Sequence, residues 1–169
     1  MNKIDSLLRY QKEVMDLQYV ANILDWDLKM NCPEKSIQEL IKKKALIEMK
    51  IFGMQKSDKY GLLLANCITS TEFDKLSEEE KRCIIKLFES YHKNKKVPTT
   101  FYEKHTKLCM EATDAWEKAV NNGNYETLKP FLKKVIDSTK KLYKYKTGSN
   151  NNLYDAMLNE YEEGMTAEV

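Results

Sequence analysis

Glycine and proline are scarce in this sequence, with five and three residues respectively among 169. Little therefore interrupts the long stretches of Lys, Glu, Leu and Ala, and this favours long helices over short strands. No apolar run approaches the length of a membrane-spanning helix, so we expect no membrane partner. We predict an all-α fold, a bundle of about six to seven long antiparallel helices with short loops, in a single helical region over residues 1–169.

An excess of charge of one sign is also lacking, because 28 Lys and Arg face 26 Asp and Glu. This balance removes the usual electrostatic argument for a nucleic-acid partner. Arg9 and Arg82 are the only arginines, which leaves few bidentate clamps for phosphate or carboxylate. The sixth predicted helix is rich in lysine, and we interpret this run as a solvated face. We therefore expect no nucleic-acid partner.

The four cysteines are too far apart for a C-x-x-C motif, and we expect no signal peptide. These features indicate free thiols in a reducing cytoplasm. Cys83 and Cys109 each fall within an amphipathic helix. We expect both to be small buried hydrophobic residues rather than nucleophiles.

Helical periodicity and capping residues predict seven helices. Ser57 is the expected cap of the third, and Ser77 with Glu80 forms a capping box for the fourth. Pro130 must lie near the first turn of the sixth. The inward stripe of the fifth is expected to contain Phe101, Leu108, Ala112, Ala115, Trp116 and Ala119. The predicted bounds are Asn2 or Asp5 to Lys29, Pro33 to about Gly53, Asp58 to Ile68, Ser77 to about Lys93, Pro98 to Val120, Tyr125 to about Lys146, and a last helix from Leu153.

Two histidines offer little for metal or nucleophilic chemistry. His92 and His105 lack the short spacing of a zinc motif, and His105 falls on an inward stripe, so we expect a core or edge histidine. Glu89-x-x-His92 has the spacing used in di-iron bundles, but that chemistry needs two such pairs and two further Glu. A solvated pair is the favoured interpretation, and a metal-binding bundle is a less favoured alternative.

Asp25-Trp26-Asp27 places two carboxylates around a tryptophan where the first helix ends. We favour a buried Trp26 that fixes a corner between two helices over a direct role in binding.

The chain ends with a helix start that no helix follows. Gly164 is expected at the C′ position of the last helix, and Thr166 has the character of an N-cap. A helix start has no partner for its backbone donors unless the helix continues. We therefore expect this sequence to be the front part of a longer protein.

Three segments, in order, resemble the N-terminal portion of the carboxypeptidase Taq family of zinc-dependent metallocarboxypeptidases. The first is Leu24-Asp25-Trp26-Asp27 followed by Pro33. The second is Lys96-Val97-Pro98, then Ala112-x-x-Ala115-Trp116-x-x-Ala119, then Asn124-Tyr125-x-x-Leu128-x-Pro130-x-Leu132. The third, and most specific, is Tyr154-Asp155-Ala156-x-Leu158-x-x-Tyr161-Glu162-x-Gly164-Met165-Thr166. The sequence departs from the family pattern at Met30, Cys32, Glu34, Asn159 and Glu163.

The resemblance implies a zinc carboxypeptidase that removes C-terminal residues from peptides, with this chain as wall and roof of the substrate channel. The family's His-Glu-x-x-His helix and later Glu lie further along than this sequence reaches, so we assign no catalytic or metal-binding residue here and expect no bound zinc and no activity in this chain alone. Substrate-binding residues stay unassigned. The residues singled out as structural are Asp25, Trp26, Asp27, Trp116, Tyr154, Asp155, Tyr161 and Gly164.

The expected partners follow from the same resemblance. They are the rest of the catalytic domain and, in the full-length enzyme, a peptide substrate. A homodimer is a further expected assembly, because a surface that normally packs on the missing helices should be apolar and exposed. The alternative function is a free-standing helical interaction module that kept the scaffold and lost catalysis.

Overall fold

The computed structural model describes residues 2–148 and 152–168, and within these residues it contains helices and no strands. This confirms the all-α prediction. The α-helices of the described residues are α1 (Lys3–Met30), α2 (Ile37–Gln55), α3 (Asp58–Ile68), α4 (Glu78–Lys95), α5 (Thr99–Asn121), α6 (Lys129–Thr147) and α7 (Leu153–Tyr161). None of these helices is both long and apolar enough to cross a membrane. Contacts group the chain into two units, residues 1–95 and 96–169.

The predicted caps form as the sequence indicates. Ser57 Oγ accepts the Tyr60 N–H at 3.1 Å at the start of α3. At the start of α4, the Ser77 N–H donates to Glu80 Oε2 at 2.9 Å, and the Glu80 N–H donates to Ser77 Oγ at 3.3 Å. The backbone and hydroxyl hydrogen bonds from Ser77 lower the pKa of Glu80. Both caps satisfy backbone donors that a helix N-terminus leaves unpaired.

Two helices begin later than predicted, and a 3₁₀ turn precedes each of them. Pro33 is extended, with ψ of 141°, and a 3₁₀ turn over Glu34–Ser36 separates it from α2. A second 3₁₀ turn, Tyr125–Thr127, precedes α6, which begins at Lys129. Pro130 thus falls in the first turn of α6, where its missing N–H leaves no helical hydrogen bond unmade.

The core of the first unit is built around the inner face of α1. Its buried members are Leu7, Tyr10, Val14 and Ala21 of α1, Ile51 of α2, Tyr60, Leu64 and Cys67 of α3, and Ile84 of α4. The Tyr10 and Tyr60 rings stack at 5.2 Å between centroids. The Tyr10 hydroxyl donates to the Met54 carbonyl at 2.9 Å. Burial, and then the neighbouring Tyr10, raises the pKa of Tyr60 to about 12.

In the second unit, α6 contacts both α5 and α7. Small buried side chains, Ala115 and Ala119, line α5, and Leu142 and Tyr143 are buried on α6. Alanine at this spacing lets two helix backbones approach closely, since residues three and four apart share one face.

A glycine in α3 sets how closely α4 packs. A Cβ built at Gly61 would collide with the ring of Tyr91, whereas one built at Gly53 in α2 would meet nothing within 4 Å. We expect Gly61→Ala to lower the free energy of unfolding by about 1–3 kcal/mol through overpacking. Gly53→Ala should raise it by about 0.5–1 kcal/mol, because alanine is the better helix former. Urea denaturation of both variants is the measurement, and equal effects would contradict the packing argument.

Candidate functional site

The segment Asp25-Trp26-Asp27, called the Trp-Asp segment below, lies in the last turns of α1. Asp25 joins this helix to α2. Its carboxylate forms ion pairs with Lys29, at 2.7 Å, and with Lys44 of α2. Burial on its own would raise the pKa of Asp25, but the hydrogen bonds and charges of Lys29 and Lys44 outweigh it and lower the pKa. Asp25 therefore fixes one end of the α1–α2 pair.

Trp26 does not fix a buried corner, and that prediction is wrong. The side chain is 57% exposed. Successive residues of a helix point about 100° apart, so Asp25 facing α2 turns Trp26 away from it. The corner is stabilised instead by the Asp25 ion pairs and by the Asn31 and Cys32 N–H groups, which both donate to the Asp27 carbonyl.

Trp116 also differs from the prediction that it lies on the inward stripe of α5, because it is 52% exposed. The neighbouring Ala115 is buried. Two adjacent residues cannot both occupy the centre of one helix face. The small residue takes the contact with the core, and the indole lies on the surface.

The third motif segment folds back along α7. The Gly164 N–H donates to Asn159 Oδ1, and the Ala167 N–H donates to Asp155 Oδ1, each at 2.9 Å. Asp155 and Asn159 are four residues apart and thus share one face of α7. The segment over residues 162–168, called the fold-back segment below, is therefore held by two side chains of α7.

Gly164 adopts φ of +86°, a backbone conformation that favours glycine. Helix α7 ends at Tyr161 and its C-cap is Glu162, so Gly164 is the second residue after the cap. The prediction of Gly164 as the C′ residue was therefore wrong by one position. The two tyrosines of this motif, Tyr154 and Tyr161, are exposed, Tyr161 at 91%. Both rings therefore belong to the surface of the second unit and not to its hydrophobic core.

A carboxylate couples α7 to α6. The Tyr143 hydroxyl donates to Glu160 Oε2 at 2.5 Å, and Lys146 Nζ lies 2.9 Å from Glu160 Oε1. Burial, and then the hydrogen bond to Glu160, raises the pKa of Tyr143, so the phenol stays protonated and donates. Nothing in the sequence pattern singled out this cluster, since its members are 14 and 17 residues apart.

His105 is half-buried, as expected for an edge histidine. The sequence analysis did not predict the side chains that contact it. Its Nδ1 lies 2.9 Å from Ser138 Oγ, and its Nε2 lies 3.7 Å from the Cys109 sulfur. The signal was the four-residue spacing of His105 and Cys109, which places both on one helix face. Burial raises the pKa of the Cys109 thiol, while burial and then the charge of Lys146 lower the pKa of His105. Both groups are thus favoured in their neutral forms, and the arrangement does not activate the thiol.

Cys83 is exposed, contrary to the prediction, whereas Cys109 is half-buried. Cys83 precedes the buried Ile84 in α4, and one residue of helical rotation turns the thiol toward solvent. Glu89 and His92 are both exposed on α4, as expected of a solvated pair.

The described residues do not fit a catalytic metal. No group of three or more His, Cys, Asp or Glu side chains among them lies close enough together to hold an ion. The His92 ring packs against Phe88 with centroids 4.4 Å apart, and both nitrogens of His105 have protein partners. Zinc would therefore have to be bound by residues outside those described.

A shallow cleft of about 200 Å³ lies between α1 and α3 in the first unit. Its lining residues are Ser6, Arg9, Tyr10, Glu13, Lys59 and Leu63. Lys59 Nζ sits 5.2 Å from the centre of the Tyr10 ring. The mixed charges give no preference for one ligand class.

The ion pairs of Asp25 predict a pH dependence of stability. Because the folded-state pKa lies below the ordinary value of 3.8, these pairs stabilise the fold above about pH 4, and the contribution is lost as pH falls through the folded pKa. We expect Asp25→Asn to lower the free energy of unfolding by at most about 1 kcal/mol at pH 7, since the pairs are partly solvated. Urea denaturation between pH 7 and 3 should show the difference shrinking. Asp16→Asn, which removes an exposed pair with Lys12, is the matched control and should change less.

The two side chains that hold the fold-back segment can be tested by hydrogen exchange. In Asp155→Ala the Ala167 N–H loses its acceptor, and we expect its exchange rate to rise by about tenfold. The Gly164 amide, held by Asn159, should change less. Unaltered exchange at Ala167 would contradict the hydrogen bond.

Comparison with known proteins gives one consistent result. The family model described as carboxypeptidase Taq (M32) metallopeptidase matches residues 6–169. Carboxypeptidase 1 of Bacillus subtilis (strain 168) is 28% identical over 167 residues, which are 95% of this chain and 33% of that protein. Thermostable carboxypeptidase 1 of Pyrococcus furiosus is 26% identical over 167 residues, covering 96% of this chain and 32% of that protein.

Solved structures agree with this result. A crystal structure of BsuCP has a TM-score of 0.90 and 25% identity, and the match covers 99% of this chain and 33% of that one. A structure of Pyrococcus furiosus carboxypeptidase, at 24% identity, supports the fold with a TM-score of 0.74 over 98% of this chain and 32% of that one. The chain spans about a third of the length of the relatives it matches. With the family model matching nearly all of its residues, the chain belongs to the carboxypeptidase Taq (M32) metallopeptidase family.

Proposed function

We propose that this chain is the N-terminal helical region of a zinc-dependent carboxypeptidase that removes C-terminal residues from peptides. The observation that carries the proposal is the match of residues 6–169 to the M32 family, together with coverage of only a third of the relatives. The chain contributes helices that form the wall and roof of the substrate channel, and the rest of the catalytic domain contributes the chemistry.

The described side chains support this division of labour. Their ion pairs and buried tyrosines hold helices together, as Asp25 does between α1 and α2 and Glu160 does between α6 and α7. His105, the one half-buried histidine of the described residues, is hydrogen-bonded within its own unit. The zinc ligands and the general base therefore belong to the remainder of the domain, and this chain alone is inactive.

The compartment is proposed to be the cytoplasm. The four cysteines are free thiols, one of them exposed, which fits a reducing environment.

The alternative function, a helical interaction module without catalysis, has one observation in its favour. Large apolar side chains such as Trp26, Trp116 and Tyr161 are exposed, and such surface suits binding to another protein. The same surface suits packing against the rest of a catalytic domain. The gene sequence beyond the Val169 codon separates the two: an open frame with His-Glu-x-x-His supports the enzyme, and a stop codon supports the module.

The purified 169-residue chain should release no C-terminal amino acid from peptides above background, with or without added zinc, because its described residues form no metal site. Bacillus subtilis Carboxypeptidase 1 serves as the positive control. Hydrolysis by the chain that a chelator abolishes would contradict the proposed inactivity.

A chimera tests the proposed role directly. This chain replaces the aligned third of Bacillus subtilis Carboxypeptidase 1, and the same enzyme with that third deleted is the control. We expect the chimera to hydrolyse peptides at least about tenfold faster than the control, because positioned substrate walls contribute large rate factors. Equal rates would argue against a role in the substrate channel.

A further inference from the structure

Helix α1 carries a second apolar face that nothing in the described structure covers. Five large side chains on it are exposed, and they recur at spacings of three and four residues. They are Met15, Tyr19, Ile23, Trp26 and Met30, called the outer stripe below. At 100° and 1.5 Å per residue, they fall within an arc of about 80° and extend over about 22 Å of helix.

The outer stripe lies opposite the core face of the same helix. Leu7, Tyr10, Val14 and Ala21 are buried, and the centre of their arc is about 150° from the centre of the outer stripe. A surface helix normally places charged and polar residues on the side away from its core. An apolar stripe on both sides is typical of a helix with neighbours on both sides.

This arrangement places the two adjacent residues Asp25 and Trp26 of the Trp-Asp segment on different sides of α1. Asp25 faces α2, where it pairs with Lys44, and Trp26 follows it onto the outer stripe. One pair of adjacent residues thus connects α1 inward to this chain and presents the indole outward. A partly apolar, partly polar ring of this kind is common at the centre of protein interfaces.

We propose that the outer stripe is the surface on which the remaining two-thirds of the M32 catalytic domain packs, with Trp26 as the main contact. This inference rests on the proposed function. The match covers 95% of this chain but 33% of Carboxypeptidase 1, so the relatives carry about twice as much further chain around the same helical region. The partner is an apolar surface of that remainder, because an apolar stripe gains free energy only by removing apolar area from water.

A second copy of this chain fits the outer stripe less well. Five side chains that are each about half exposed present on the order of a few hundred Å² of apolar surface. A specific interface between separate molecules buries about 800 Å² on each partner, so a dimer formed on this stripe alone would be weak. Packing within one catalytic domain needs no such minimum.

Methionine oxidation provides a test with native residues as probes. Met15 and Met30 are converted to sulfoxides by hydrogen peroxide, and peptide mapping by mass spectrometry gives the rate at each position. In the isolated chain both should oxidise quickly, because both are exposed. In the chimera with the remainder of Bacillus subtilis Carboxypeptidase 1, we expect both rates to fall by at least about fivefold, since burial restricts access of the oxidant.

The matched control is Lys50→Met, at an exposed charged position of α2, which should oxidise at the same rate in both proteins. Unprotected Met15 and Met30 in the chimera would overturn the proposal. Protection that appears in the isolated chain as its concentration rises would also overturn it, in favour of a second copy.

A second measurement does not depend on the chimera. In the isolated chain, Ile23→Lys together with Trp26→Lys should shift the thermal midpoint by no more than about 2 °C, because exposed side chains contribute little to the fold. A larger drop would show that the stripe is buried within this chain and would overturn the proposal. An active chimera with unprotected methionines refutes the docking surface alone, and an inactive chimera with protected methionines refutes the proposed function alone.

Discussion

The packing of α1 on its neighbours is the constraint on which the first unit depends. One side of this 28-residue helix buries Leu7, Tyr10 and Val14 against α2 and α3, and the stacked rings of Tyr10 and Tyr60 lie at the centre of that contact. Each large side chain removed from water in this way contributes about 1.5–3 kcal/mol. The polar contacts around it, such as the Tyr10 hydroxyl on the Met54 carbonyl, mainly fix the alignment of the helices.

The two faces of α1 relate the fold to the function. Apolar side chains in solvent contribute no stability to an isolated helical unit. In a subregion of a larger domain, the same side chains contribute stability when the rest of the domain packs on them. The exposed Trp26 and Met30 therefore agree with a chain that spans about a third of its M32 relatives.

Local signals in the sequence predicted the caps and most helix bounds, because a cap involves residues only three positions apart, as in Ser77 and Glu80. Burial was predicted less well. Helical periodicity gives the angle between residues but does not say which of two apolar faces has a neighbour, so Trp26 and Trp116 were placed inside and lie outside.

Other features depend on contacts between distant segments, which periodicity alone cannot reveal. The ion pair of Asp25 with Lys44 joins residues 19 apart, and the Glu160 contacts join two helices. The resemblance of the third motif segment named the family, but only the structure gave Asp155 and Asn159 their role as acceptors for the fold-back segment.

The coupling of α7 to α6 has a consequence for the order of folding. A nine-residue helix is too short to be stable alone in water, so α7 forms only when α6 offers it a surface. Tyr143 and Lys146, both on α6, each donate a hydrogen bond to a different carboxylate oxygen of Glu160. During synthesis α6 leaves the ribosome first, so α7 can pack on a helix that has already formed. On heating, we expect α7 to unfold and detach early while α6 stays folded.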